Sequence, residues 1–133
     1  MNDVYSKYDA VISIDHTKLV QLTTLGKELD EDVLGQLVAL HKETSDTILS
    51  EMNQCLNEKK FLELRSCAHK FKSNSATLGL MKLHKMCADL ETNLKDSLSS
   101  NSFEINHISK FVKCIEFETK STYEMLFQFQ KVG

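Results

Sequence analysis

The sequence predicts an all-α protein, an antiparallel up-and-down four-helix bundle with an additional short N-terminal helix, and three observations predict it. There is no Pro and there are only four Gly in 133 residues, so little interrupts long helices. The alternating runs of Val, Ile and Thr that strands need are nearly absent. Apolar residues recur instead at steps of three and four along four long stretches joined by short connections. Such stripes can be buried only against one another, and short connections make successive helices antiparallel neighbours. The length and the mass of 15.2 kDa suit one domain, residues 1–133, with a core of its own.

Taken in order, residues 1–14 are ambiguous: Val4, Tyr8, Val11 and Ile12 have helical spacing, yet the stretch Val11-Ile12-Ser13-Ile14 suits an extended chain equally well. Asp15 is the expected N-cap of a short helix carrying Leu19, Leu22 and Leu25, with Gly26 as its stop, and this helix should close one end of the bundle. Asp30 is the expected N-cap of the next helix, with Glu31 and Asp32 in its first turn, favourably placed against the helix dipole. Its stripe runs through Leu34, Leu37, Val38, His41, Ser45, Ile48, Met52 and Cys55 almost to Asn57, which makes His41 a packed histidine or one at the stripe's edge. The third long pattern, Phe61, Leu64, Ala68, Phe71, Ser75 and Leu78, has the clearest period in the chain and stops at Gly79. Leu83, Cys87, Leu90 and Leu94 mark the next helix. Residues 97–102 read as a polar loop, with Asn101 or Ser102 capping a last helix that carries Ile105, Ile108, Val112, Ile115, Leu126 and Phe129.

Composition narrows the function. With 41% apolar and 26% charged residues the chain is an ordinary globular one, not a disordered one. Cys55, Cys67, Cys87 and Cys114 form no CxxC pair and lie on or beside apolar stripes, so they read as small hydrophobic residues in a reducing, cytoplasmic setting. No signal-peptide pattern and no apolar run near the roughly 20 residues of a membrane span are present. A net charge of −3 and a lack of aromatics on the basic face argue against nucleic acid as a partner.

His69 stands out next. Helical geometry turns it roughly 130° from the middle of the third helix's stripe, so it should face water. The same face carries Leu62, Arg65, Ser66, Lys72, Ser73 and Ala76. Ser66, Ser73 and Ala76 are too small to screen an imidazole, and Leu62 is one apolar residue on a wet face, suited to docking. From Lys59 to Ala88 there are seven basic residues and one acidic, a local charge of +6, while the remainder, with nine basic and eighteen acidic groups, carries −9. A basic face of this kind steers an acidic partner surface towards the histidine. The bland alternative is a solvated lysine-rich helix pair.

The run AHKFKSNSATLG followed by LxxxCxxLE resembles the signature of histidine-containing phosphotransfer (HPt) domains, the relay modules of multistep two-component signalling. In that family a histidine is followed three residues later by lysine and ten later by glycine, here His69, Lys72 and Gly79. The resemblance extends over most of residues 12–115. It implies that His69 accepts a phosphoryl group from the aspartyl phosphate of a response-regulator receiver domain and passes it to another receiver, upstream of which stands a hybrid sensor histidine kinase. Neutral imidazole is a competent nucleophile near pH 7, since its unperturbed pKa is about 6.5. Lys72 would offset the incoming negative charge. By the same resemblance Mg²⁺ and its acidic pocket belong to the partner receiver, so this chain needs no cofactor or metal of its own, has no ATP-dependent kinase activity and acts as a cytoplasmic monomer.

Two positions depart from the family. Many members have Gly four residues after the histidine; here Ser73 either bonds a phosphate oxygen or crowds it. Where some members carry a phosphate-side glutamine this chain has Glu91, which would hold the imidazole's other N–H, raise its pKa and orient it, or else is a plain surface acid. The competing readings are weaker. His16 sits by a helix start, His84 on the outer side of its helix and His107 near the start of the last. Glu104 and His107 form one ExxH, but a di-iron bundle needs a second, which is absent. The serious alternative is a helical adaptor that docks receiver or kinase domains without being phosphorylated.

Overall fold

A computed structural model describes residues 3–132, so Met1, Asn2 and Gly133, at the ends of the 1–133 domain and of the 1–14 segment, lie outside it. Among the described residues there are six helices and no strand: α1 (Asp3–Ser6), α2 (His16–Leu29), α3 (Val33–Asn57), α4 (Phe61–Thr77), α5 (Met81–Ser100) and α6 (Ile105–Val132). The four long ones pack in a ring, α3 on α4, α4 on α5, α5 on α6 and α6 back on α3, so each touches its sequence neighbours and no diagonal partner. That is the antiparallel up-and-down bundle its stripes require. Leu64, Ala68, Phe71 and Ser75 of α4, Leu78 just after it, and Leu83, Cys87, Leu90 and Leu94 of α5 are all buried. Leu25 and Ile105, expected on apolar stripes, face solvent instead.

One backbone device ends four of the helices. Asp30, Lys59, Gly79 and Asn101 each adopt a positive φ, between 53° and 69°. The residue after each returns its N–H to the carbonyl five residues back: Glu31 to Gly26, Lys60 to Cys55, Leu80 to Ser75 and Ser102 to Ser97. Gly79 is the expected stop. Gly26 is not: α2 runs on to Leu29 and turns at Asp30, and Gly26 is needed because a Cβ there would lie 2.6 Å from the Glu31 carbonyl. Asp30 therefore ends α2, and the N-cap of α3 is Asp32, whose carboxylate accepts from Gly35 N–H at 3.0 Å. Likewise α5 continues through Ser100, so residues 97–100 are helical, and Asn101 closes α5 where a cap for α6 was expected. Asp and Asn tolerate the left-handed conformation through short polar side chains, which is why stops without glycine are hard to see.

The expected end-closing role of α2 holds. Its N-cap Asp15 accepts from Thr17 N–H and donates its own N–H to the Gly79 carbonyl at 2.8 Å, fastening α2 to the α4–α5 turn. The His16 ring lies 6.0 Å from that of Phe129 at the far end of α6. At the opposite end Phe61 stacks on Phe103 at 4.3 Å. The ambiguous N-terminus is one helical turn followed by irregular chain, held by its side chains. Val4, Tyr8 and Ile14 are buried, Tyr5 donates to Glu118 at 2.8 Å and Tyr8 to Asp89 at 2.7 Å. Burial first, then the carboxylate partners, push both phenols well above their ordinary range, so they remain donors. His41 is packed, as expected: its Nδ1 donates to Asn74 at 2.7 Å, and burial lowers its pKa from 6.5.

Candidate functional site

The α4 stripe decides which way His69 points. Ala68 and Phe71 are completely buried, which turns the residue between their flanks outward, and the His69 side chain is 62% exposed. Its neighbours on the face stay low: Ser66, Ser73 and Ala76 are all exposed and small. The Ser73 hydroxyl lies 3.5 Å from the His69 carbonyl, and that of Ser66 lies 3.4 Å from the Leu62 carbonyl. Leu62, Arg65, Ser66 and Lys70 surround His69 and Glu91 in a shallow pocket of about 360 Å³. Ala76 shares the face but lies outside this pocket, and Gly79 is in the turn beyond it.

Glu91 organises the polar part of the site. From α5 its Oε2 meets His69 Nδ1 at 2.5 Å while its Oε1 accepts from Lys72 Nζ at 2.7 Å. Burial would raise this carboxyl's pKa, but the hydrogen bonds and charges of Lys72 and His69 outweigh it and hold Glu91 below the usual carboxylate range. An ionised carboxylate only accepts, so the ring donates to it from Nδ1–H, and in the neutral tautomer that this contact selects the lone pair is on Nε2. Lys72 and Glu91 are 27% and 18% exposed, so their ion pair is sheltered, whereas the Lys70–Glu51 pair at 3.5 Å is open to solvent and counts for little. The reading of Glu91 as a plain surface acid does not fit this placement.

His84 corrects another expectation. Rather than lying on the outer side of α5, it is half-buried against α4 and donates from Nδ1 to the Lys72 carbonyl at 2.9 Å, tying the backbone of the lysine to α5. Its spacing of seven residues, two turns, before Glu91 was the available signal. Lys70 was also not read as part of the pocket. The remaining candidates stay dispersed: His107 stands edge-on to Phe111 at 5.5 Å, and among the described residues no three His, Cys, Asp or Glu side chains gather as a metal-binding group. The cysteines are free thiols, three of them buried, and burial pushes the Cys67 thiol up to about 12, which removes it as a nucleophile beside His69. Among the described residues no helix is long and apolar enough to cross a membrane.

With this geometry in place, the comparisons with known proteins agree. The chain is 28% identical over 78 residues, 59% of its length, to multistep phosphorelay regulator 1 of Schizosaccharomyces pombe, and spans 26% of that longer protein. The crystal structure of a rice protein described as a histidine-containing phosphotransfer protein matches the fold with a TM-score of 0.71 at 17% identity, over 96% of this chain and 91% of that one. The family model of the Hpt domain matches residues 36–117, well over half of the chain and all of α4 and α5. The chain therefore belongs to the Hpt domain family.

Proposed function

We propose that the protein is a phosphorelay intermediate in which His69 Nε2 takes a phosphoryl group from the aspartyl phosphate of a receiver domain and passes it to another receiver. The observation that carries this reading is the placement of the ring: Nδ1 is held by Glu91, and the His69 side chain is exposed on a face of small side chains. Phosphoryl transfer is largely positioning and charge neutralisation, and Lys72, one turn along, is the cation that offsets the charge of the bound phosphoryl group. Ser73 lies one turn beyond His69, with its hydroxyl 3.5 Å from the His69 carbonyl, beside the face on which the phosphoryl group would sit. Leu62, Arg65, Ser66 and Ala76 form the surrounding docking surface, on the region of local charge +6 that suits an acidic receiver.

In this reading residues 1–133 are one HPt domain acting as a cytoplasmic monomer between receivers and a hybrid sensor histidine kinase. It has no cofactor of its own and no ATP-dependent kinase activity; the partner receiver supplies Mg²⁺. The test is incubation with a phosphorylated receiver. Acid-labile, alkali-stable phosphate should appear on the protein and be absent from His69→Gln. Wild-type protein that never takes up label, or label that persists in His69→Gln, rejects the relay and leaves a docking adaptor.

A further inference from the structure

We infer that the cleft between α2 and the end of α6, on the side of the bundle away from His69, docks a short amphipathic helix of a partner protein whose polar face is basic. The chemistry of His69 has no part in this contact.

The cleft follows from how α2 is seated. α2 packs on α3, but its backbone stands off from that of α6. The gap between them holds about 610 Å³ and is lined by the apolar side chains of Leu22, Val33, Leu34 and Phe129, with Val20, 55% exposed, beside them. Val20, Thr23, Thr24 and Lys27 line it from α2 at steps of three and four, so they share one face of that helix. Lys18 is on the opposite face, where its side chain lies beside Gly79 in the α4–α5 turn. The cleft is therefore turned away from α4 and its histidine.

Charge and shape define the occupant. Asp30, Glu31 and Asp32 line the cleft against one cation, Lys27. The left-handed turn at Asp30 and the bond from Gly35 N–H to Asp32 fix the backbone that carries these acids, and the negative end of the α2 dipole adds to them. Among the described residues none of the three carboxylates is in an ion pair. Lys131, in the last turn of α6, lies over the Phe127 ring instead. From Val20 to Asp30 the chain of α2 rises about 15 Å, close to three turns of a helix laid along it. Thr23 and Thr24 are small enough to let that helix approach, with apolar anchors towards Leu22 and Phe129 and basic residues towards the acids. A basic segment is repelled by the +6 region around His69, so cleft and phosphoryl site select partners of opposite charge and can be filled together.

The probe is a fluorescein-labelled peptide of about 12 residues, with Lys on its polar face and Leu around one Phe on the other. It is titrated against the full chain, and its contacts are mapped in ¹H–¹⁵N spectra. Saturable binding should shift the amides of Val20, Thr23, Thr24 and Gln130 most, and the same peptide with Glu in place of Lys should not bind. The triple variant Asp30→Asn, Glu31→Gln, Asp32→Asn keeps the turn and the cap but removes three charges. It should bind the Lys peptide about tenfold more weakly, the sum expected of three exposed ion pairs. Thr24→Arg, at an exposed position, puts a cation into the cleft and should weaken binding at least as much. Equal affinity of both variants and wild type overturns the inference, as do amide shifts centred on α4 and α5. A wild-type protein that does not distinguish the Lys peptide from the Glu peptide overturns it as well. Sedimentation of the protein alone tests a second copy as occupant: a mass that rises with concentration in wild type but not in the triple variant assigns the cleft to the basic face of another copy and overturns the partner helix.

Discussion

Replacing Gly79 with Ala should be among the most damaging single-methyl additions available in this protein. A left-handed φ of 69° costs an L-residue about 1–2 kcal/mol. The new Cβ would also stand 2.9 Å from Lys18 Cβ and 3.2 Å from Asp15 Cβ, at the first turn of α2, where overpacking adds about 1–3 kcal/mol. Loss of glycine's freedom in the unfolded chain returns somewhat less than about 1 kcal/mol. The net is a loss of about 2–3 kcal/mol, or a fall in Tm of about 8 °C for a domain of this size. Gly79→Asn separates the two causes: asparagine tolerates the conformation but not the crowding, so it should fall between wild type and Ala. Lys59→Gly, at a φ of 56°, relieves a strained conformation and should be stabilising by up to about 1 kcal/mol. Urea unfolding followed by far-UV circular dichroism reads all three. A Gly79→Ala midpoint indistinguishable from wild type would refute the reasoning, since neither strain nor crowding would then exist at the turn that fastens α2.

Three further outcomes are expected. Lys72→Ala should slow phosphoryl acceptance on the order of a hundredfold in single-turnover assays, with circular dichroism unchanged; lost helix would make the lysine structural. Burial lowers the His41 pKa below 6.5, so its stabilising contribution is present above that value and is lost as pH falls through it, by at most about 1.4 kcal/mol per pH unit. Denaturation midpoints should decline from about pH 7 to pH 5, and His41→Met should flatten that slope; Glu91, held below 4.5, loses its contribution only in a separate, more acidic window. Tyr5→Phe takes a donor from the fully buried Glu118 and should cost about 2–3 kcal/mol by urea titration, whereas Tyr8→Phe leaves Asp89 its Lys85 partner at 3.1 Å and should cost about 1 kcal/mol.

The legible parts of the sequence were those governed by periodicity. The α4 stripe places Leu64, Ala68 and Phe71 inward and His69 outward by geometry alone, and the structure agrees. Helix ends were legible at Asp15, whose carboxylate caps α2, at Gly79, and near Asn57, where the α3 stripe runs out. Asp30, Lys59 and Asn101 make the same left-handed turn as Gly79, but their side chains gave no sign of it, and Gly26 misled because its role is to let the Glu31 carbonyl approach. The seven-residue spacing of His84 and Glu91 shows only that they share a face of α5; their contacts with His69 and the Lys72 carbonyl depend on how α5 is rotated against α4. The N-terminal segment stayed ambiguous because its placement rests on Tyr5 and Tyr8 reaching carboxylates 113 and 81 residues away.

His69, Lys72, His84 and Glu91 all belong to α4 and α5, which are joined by the residues around Gly79. Among these four the largest sequence separation, between His69 and Glu91, is 22 residues. Closing so small a loop costs little chain entropy, and contacts of such short range form early in folding. The pocket is in this sense a property of one helical hairpin, with α3 and α6 serving as the socket that keeps it dry on the inner side. Sequence change in the outer helices can alter stability and remodel the remaining surface without disturbing the spacing between the imidazole and its carboxylate. A unit built this way is portable: its working geometry travels with some forty contiguous residues, whatever chain surrounds them.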